Sequence, residues 1–308
     1  MGRSSHSAGT RPASPLAALA CLAAVALAVP TAASATARLH PAGGSGAEAA
    51  RVSGFWTPAR MRSAPALDEA PPALTASASF APVPEPTVAP NTVNGRLFLR
   101  QAGHLGYCSG TAINTPSRRL VLTAGHCVNT GPVTRNGASF WSTYMEFVPA
   151  YTNGVAPFGA FVAHRAKIFA LKQWVQTGNP DFDIGAVVTS PNSEGLSVAD
   201  AVGGGATIAT DLSRHQEFQT FGYPGKTRFM QGCSSPYVGD DSLTYPLPGP
   251  PTIAIGCHWA PGASGGGWLI EGGAEIDGLT SYGKRHDLRH TFGPYFSKQN
   301  VGRLTAGL

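Results

Sequence analysis

The sequence predicts an all-β fold, an antiparallel barrel or sandwich, on three observations. Gly 38 and Pro 26 make up about a fifth of the 308 residues, a punctuation density that favours short strands and tight turns over long helices. The apolar segments after residue 93 are short and β-like, and turn clusters such as Tyr223-Pro224-Gly225 and Pro248-Gly249-Pro250-Pro251 separate them. Apolar residues are 43% and charged residues 13%, which permits a buried core and excludes both a highly charged disordered chain and a Glu/Lys/Leu-rich coiled coil.

Taken in chain order, residues 1–35 read as a signal peptide. Arg3 and Arg11 precede the apolar run Leu16 to Val29, and Ala33-Ser34-Ala35 supplies the small-x-small pattern that signal peptidase reads, with cleavage expected after Ala35. The run is shorter than the roughly 18 to 20 residues needed to cross a bilayer. No stable membrane anchor is therefore expected, and the mature chain should be secreted. Cys21 follows Ala18-Leu19-Ala20, which lacks the large residue that usually stands three positions before a lipidated cysteine. Residues 36–92 are dominated by Ala, Pro, Ser and Gly and cannot bury enough apolar surface to offset their ordering entropy. They read as a disordered propeptide or linker, in which the apolar patch Val52-Ser53-Gly54-Phe55-Trp56 is the one part able to dock.

Residues 93–308 remain for one compact domain. Its strand candidates are Gly95 to Leu99, Ser109 to Ile113, Leu120 to Thr123, Ala160 to Val162, Ile184 to Thr189, Phe218 to Phe221, Thr252 to Ile255, Trp268 to Ile270 and Ile276 to Ser281. There is no repeat at a fixed period, and Gly203-Gly204-Gly205 lacks the strand-to-helix setting of a dinucleotide loop. The net charge of +5 comes without a run of like charges, so no nucleic-acid partner is expected. Outside the signal stand Cys108, Cys127, Cys233 and Cys257. An even number in an exported chain suggests two disulfides, with three pairings open. No C-x-x-C pair offers the close ligand spacing of a cysteine zinc site.

Three segments can carry chemistry. In Leu120-Val121-Leu122-Thr123-Ala124-Gly125-His126-Cys127 an apolar strand runs into small residues and then presents a histidine, the side chain best suited to take and return a proton near neutrality. In Asn179-Pro180-Asp181-Phe182-Asp183-Ile184-Gly185 a carboxylate immediately precedes an apolar strand. An acid placed there can hold the other nitrogen of an imidazole, and Asp183, which abuts the strand, is preferred to Asp181. In Ala260-Pro261-Gly262-Ala263-Ser264-Gly265-Gly266-Gly267-Trp268 a serine sits among glycines. A tight turn of that composition can converge backbone N–H groups on one point, as stabilising an oxyanion requires.

Together the three segments resemble the chymotrypsin/trypsin-like serine peptidases, with their T-A-A-H-C, D-I-A-L and G-D-S-G-G-P signatures in this order, over residues 93–308. The resemblance implies two six-stranded antiparallel β-barrels with the active site between them. It implies His126 as general base, Asp183 as its orienter, Ser264 as nucleophile, and the N–H groups of Gly262 and Ser264 as the oxyanion hole. It also implies the disulfide Cys108–Cys127, which clamps the histidine loop, and with it Cys233–Cys257. The expected activity is endopeptidase cleavage of a polypeptide through an acyl-enzyme by a secreted monomer without metal or cofactor. Three positions depart from the signatures. Gly125 replaces the commoner Ala, a change expected to be harmless. Ala263 stands where trypsin has the aspartate that pairs with a new N-terminus. Gly267 replaces a proline, as in the bacterial secreted branch that includes glutamyl endopeptidases.

Two readings from other classes compete. One is a catalytically silent secreted binding protein with a trypsin-like fold. The other is an α/β-hydrolase esterase, for which Gly262-Ala263-Ser264-Gly265-Gly266 fits G-x-S-x-G; three consecutive glycines then forbid the helix that fold requires, and the histidine motif lies on the wrong side. His286-Asp287-Leu288-Arg289-His290 would align two imidazoles on a helix, but its polar, basic setting favours solvated surface. For the substrate pocket the resemblance points to His258, Thr280, Ser281 and Gly283. A cationic His258 would favour an acidic side chain before the scissile bond.

Overall fold

Leu120 to Ala124 is buried at every position, and such a strand needs partners on both edges to satisfy its backbone. The computed structural model describes residues 36–38, 45–68, 80–133, 139–241, 247–258 and 260–306, and the expected signal sequence lies outside them. It places this segment as the third strand of a closed barrel. The strands are β1 (Asn94–Gln101), β2 (His104–Ile113), β3 (Leu120–Ala124), β4 (Thr143–Pro149), β5 (Phe161–Leu171) and β6 (Ile184–Thr189). Their order is β5-β4-β1-β2-β3-β6, every pair is antiparallel, and β5 pairs with β6 to close the circle. Closure pairs the six strands with one another, and the short strand Thr36–Arg38 adds antiparallel along residues 169–171 of β5. Leu97, Leu99, Val121, Phe147, Phe161 and Val187 share one face of the closed sheet, each fully buried.

The second half repeats the architecture with β7 (Glu217–Gly222), β8 (Gln231–Asp241), β9 (Thr252–Ile255), β10 (Gly267–Ile270), β11 (Glu275–Leu279) and β12 (Asp287–Gly293). The order is β12-β9-β8-β7-β10-β11. An antiparallel bridge from Gly278 to Tyr295, just past β12, brings the two ends of this run together. Trp268 is its largest buried side chain, and its indole N–H donates to Thr280 Oγ1 at 3.0 Å. The chain thus has the two-barrel architecture expected. Both disulfides form as the resemblance implied, Cys108–Cys127 and Cys233–Cys257.

Three of the barrel strands escaped the sequence reading. β4 carries an ionisable Glu146, β8 alternates half-buried and exposed residues around Pro236, and β12 is rich in charge; none shows the apolar run that marks a strand. The segment 286–290 is the last residue of a turn followed by the first four residues of β12, not a helix. His286 and His290 therefore do not share a helical face, and His290 Nδ1 pairs with Asp287 at 2.7 Å.

The Ala/Pro-rich region departs from the expected disorder. Helix α1 (Ser45–Phe55) and helix α2 (Pro58–Ser63) pack on the first barrel, burying Val52, Trp56 and Met61. The apolar patch supplies the anchor. Trp56 lies 5.2 Å from the Phe98 ring, and its indole N–H donates to the Tyr144 carbonyl at 2.6 Å. Trp56, with Val52 and Met61, concentrates the apolar burial of this segment in a few side chains, an effect that average composition conceals.

Candidate active site

The end of β3 turns into the short helix α3 (Gly125–Val128), which aims His126 at the start of β6. There Asp183 is almost fully buried and receives His126 twice: the backbone N–H donates to Oδ1 at 2.7 Å, and Nδ1 meets Oδ2 at 2.7 Å. Ser281 Oγ–H donates to the same Oδ2. Burial opposes a charge on the imidazole, but the Asp183 charge and hydrogen bond, with a smaller contribution from Asp68, outweigh it, so the His126 pKa is raised. The turn is held from behind. Gln101 Nε2 donates to the His126 carbonyl at 2.9 Å, Ser142 Oγ donates to the Cys127 carbonyl at 2.7 Å, and the Cys108 disulfide ties the turn to β2.

Ser264 sits in the loop entering β10, bound to the first barrel by backbone. Ser109 N–H on β2 donates to the Ser264 carbonyl at 2.8 Å, and Ser109 Oγ donates to the Gly262 carbonyl at 2.8 Å. Gly262 has φ +87, where an added Cβ would lie 2.6 Å from Tyr107 and 2.7 Å from the Tyr223 carbonyl, so only glycine fits this turn. The Gly262 N–H and the Ser264 hydroxyl converge on one acceptor, the Asp68 carboxylate. Gly262 N–H donates to Oδ1 at 2.9 Å, and Ser264 Oγ–H donates to Oδ2 at 2.8 Å. Among the described residues His126 Nε2, on the edge of the ring away from Asp183, has no hydrogen-bond partner.

The other expected residues fall as follows. His258 is buried, and that burial lowers its pKa from the ordinary histidine value. Thr280 Oγ1 accepts from Trp268, so its side chain belongs to the barrel core. Ser281 is turned to Asp183, and Gly283 lies half-buried in the strand Tyr282–Lys284. Asp181, the carboxylate not preferred, is also buried and accepts from Thr252 N–H at 3.1 Å. Cys108, Cys127 and His126 are close enough to hold a metal, but both sulfurs are spent on their disulfide.

Sequence reasoning missed two neighbours of His126. Trp174, on helix α4 (Lys172–Thr177), stands edge-on to the imidazole with centroids 6.1 Å apart, and its indole N–H is fixed by the Asn129 carbonyl at 2.8 Å. Asp68 lies 58 positions upstream of His126 in the region expected to be disordered. No local pattern marks either one.

No family model matches the sequence, and no curated protein sequence does. Solved structures match well. The protease Anisep from Arthrobacter nicotinovorans is 29% identical with a TM-score of 0.58, over 67% of this chain and 90% of that one. The thermostable serine protease AL20 from an extremophilic microorganism is 25% identical with a TM-score of 0.61, over 70% and 96%. A Glu endopeptidase at 18% identity, TM-score 0.59, over 76% and 98%, shares the fold. The structural neighbours of this chain are thus serine proteases of the trypsin/chymotrypsin fold, with which its two barrels agree.

Proposed function

We propose that this chain is a serine endopeptidase that cleaves polypeptides through an acyl-enzyme. The observation that carries the reading is the junction of the two barrels. There a buried carboxylate holds one face of His126 while Ser264 and the Gly262 N–H converge on a single anion. In this reading Ser264 Oγ attacks the scissile carbonyl and His126 Nε2 takes its proton. Asp183 keeps the proton of Nδ1 in place and stabilises the imidazolium, as the raised His126 pKa requires. The Gly262 and Ser264 N–H groups bind the developing oxyanion. Collapse releases the amine, protonated by His126, and water then hydrolyses the ester by the same steps reversed. Ser281 is a positioning residue, fixing the Asp183 oxygen that faces His126.

Secretion after cleavage of residues 1–35 fits the two disulfides, which form in oxidising compartments. No described helix is long and apolar enough to cross a membrane. A fluorophosphonate probe tests the reading directly. Label should map to Ser264, and Ser264→Ala should lose it while turnover of a peptide substrate falls by roughly 10⁴ to 10⁶ in kcat. Label on another serine, or none on a folded chain even with Asp68 replaced, would reject it; the latter outcome is that of a silent binding protein.

A further inference from the structure

We infer that Asp68 is a built-in carboxylate inhibitor, which holds the chain latent by occupying the oxyanion position and drawing the Ser264 hydroxyl away from His126. The inference deepens the serine peptidase reading and rests on it. The geometry is specific. One Asp68 oxygen takes the Gly262 N–H at 2.9 Å, the donor that a developing oxyanion needs. The other takes the Ser264 hydroxyl proton at 2.8 Å, while His126 Nε2, the atom that should accept it, has no partner among the described residues. A substrate carbonyl cannot enter while the carboxylate is there, and the nucleophile's proton points at the wrong base. Hydrogen bonds to an ionised acceptor are also stronger than those to the neutral carbonyl it excludes.

The carboxylate is delivered by backbone pairing rather than by a loose tail. Leu67 N–H donates to the Tyr107 carbonyl at 3.0 Å, and Tyr107 N–H donates to the Pro65 carbonyl at 3.0 Å, so Ala66 bridges in parallel to β2. Leu67 lies against Gly106, where an added Cβ would stand 3.0 Å from the Leu67 Cα. Upstream, Trp56 and Met61 are buried against the first barrel. Tethering makes the occupation intramolecular, so its strength is set by an effective concentration and not by protein concentration. What reaches Ser264 is a side-chain carboxylate, whose carbon is a poor electrophile. The segment therefore blocks the site without being a substrate in that pose. Release requires residues 65–68 to leave β2.

The test compares the full-length, uncut chain as wild type, Asp68→Ala and Asp68→Asn. Integrity is checked by intact mass and folding by circular dichroism. The rate of fluorophosphonate labelling is measured and the label mapped by peptide sequencing. Wild type should label slowly and Asp68→Ala, which loses both hydrogen bonds, at least about tenfold faster, since even one charge-assisted hydrogen bond is worth about that factor. Asp68→Asn should fall between, since its amide oxygen still accepts from Gly262 but carries no charge. Should the alanine variant misfold, the near-isosteric asparagine decides alone. Equal labelling of Ser264 in wild type and variants overturns the inference and leaves the peptidase reading standing. Slower labelling in folded variants also overturns it, because Asp68 would then be activating the serine. Absence of label on Ser264 in every chain rejects the peptidase reading and the inference with it.

Discussion

Position 125 shows how far one methyl group can reach. A Cβ built on Gly125 would stand 2.8 Å from Asp183 Oδ1 and 3.0 Å from the Trp174 ring. Neither can retreat cheaply, since Asp183 is held by three hydrogen bonds and Trp174 by its bond to Asn129. The change from the commoner Ala, harmless by the sequence alone, is thus tied to the Trp174 beside it. Gly125→Ala should displace the carboxylate from His126 and lower kcat by roughly 10²-fold, the cost typical of misplacing a catalytic group by about 1 Å. KM should move less, because no substrate contact is removed. Steady-state kinetics on a peptide substrate check this, and an unchanged kcat would show that the site absorbs the methyl.

At the scale of elements, helix α1 carries its own pH response. Ser53 Oγ donates to Glu146 Oε1 at 3.1 Å across the contact between α1 and β4, and Glu146 is 1% exposed. Burial pushes the Glu146 pKa up to about 7, with the Ser53 hydrogen bond pulling the other way. The packed state therefore holds a proton that the unpacked state gives up. Its contribution is complete below the ordinary carboxylate pKa of about 4.3 and is lost as pH rises through about 7. Hydrogen exchange of residues 45–63, corrected for its intrinsic pH dependence, should be slower at pH 5 than at pH 8, and Glu146→Gln should remove the difference. Persistence of the difference in Glu146→Gln would place the response elsewhere. The disulfides act on longer loops. They join residues 19 and 24 positions apart, and cross-links of that size typically stabilise by about 3 kcal/mol.

Over the whole molecule, buried carboxylates set the pH dependence of stability. Asp277 is fully buried with no hydrogen-bond partner for either oxygen among the described residues. Burial first, then the charges of Glu275 and Asp211, raise its pKa to about 7. Asp181 is raised to about 6, chiefly by burial. For both the folded pKa exceeds the unfolded one, so their stabilising share is present in acid and lost as pH climbs from about 4. Asp277→Asn should raise stability at pH 8 by on the order of 1–3 kcal/mol and change little at pH 5. Urea unfolding at the two pH values measures it, and an equal shift at both would mean that packing, not charge, is responsible.

The sequence by itself determined the β class, most of the barrel strands, and the candidate residues His126, Asp183 and Ser264. Each announces itself locally: an apolar strand, a charge at its mouth, or a glycine-rich turn is legible in a few consecutive residues. It left β4, β8 and β12 unseen because their faces are mixed, and periodicity reports only strands with one clearly apolar side or two. Only the tertiary structure decided that the Ala/Pro-rich region orders its helices on Trp56, that Ser281 serves Asp183, and that Trp174 and Gly125 share one space. It alone brought Asp68 to Ser264 across 196 positions. Contacts of that separation depend on how two barrels and a docked segment meet in space, which no short window of sequence encodes.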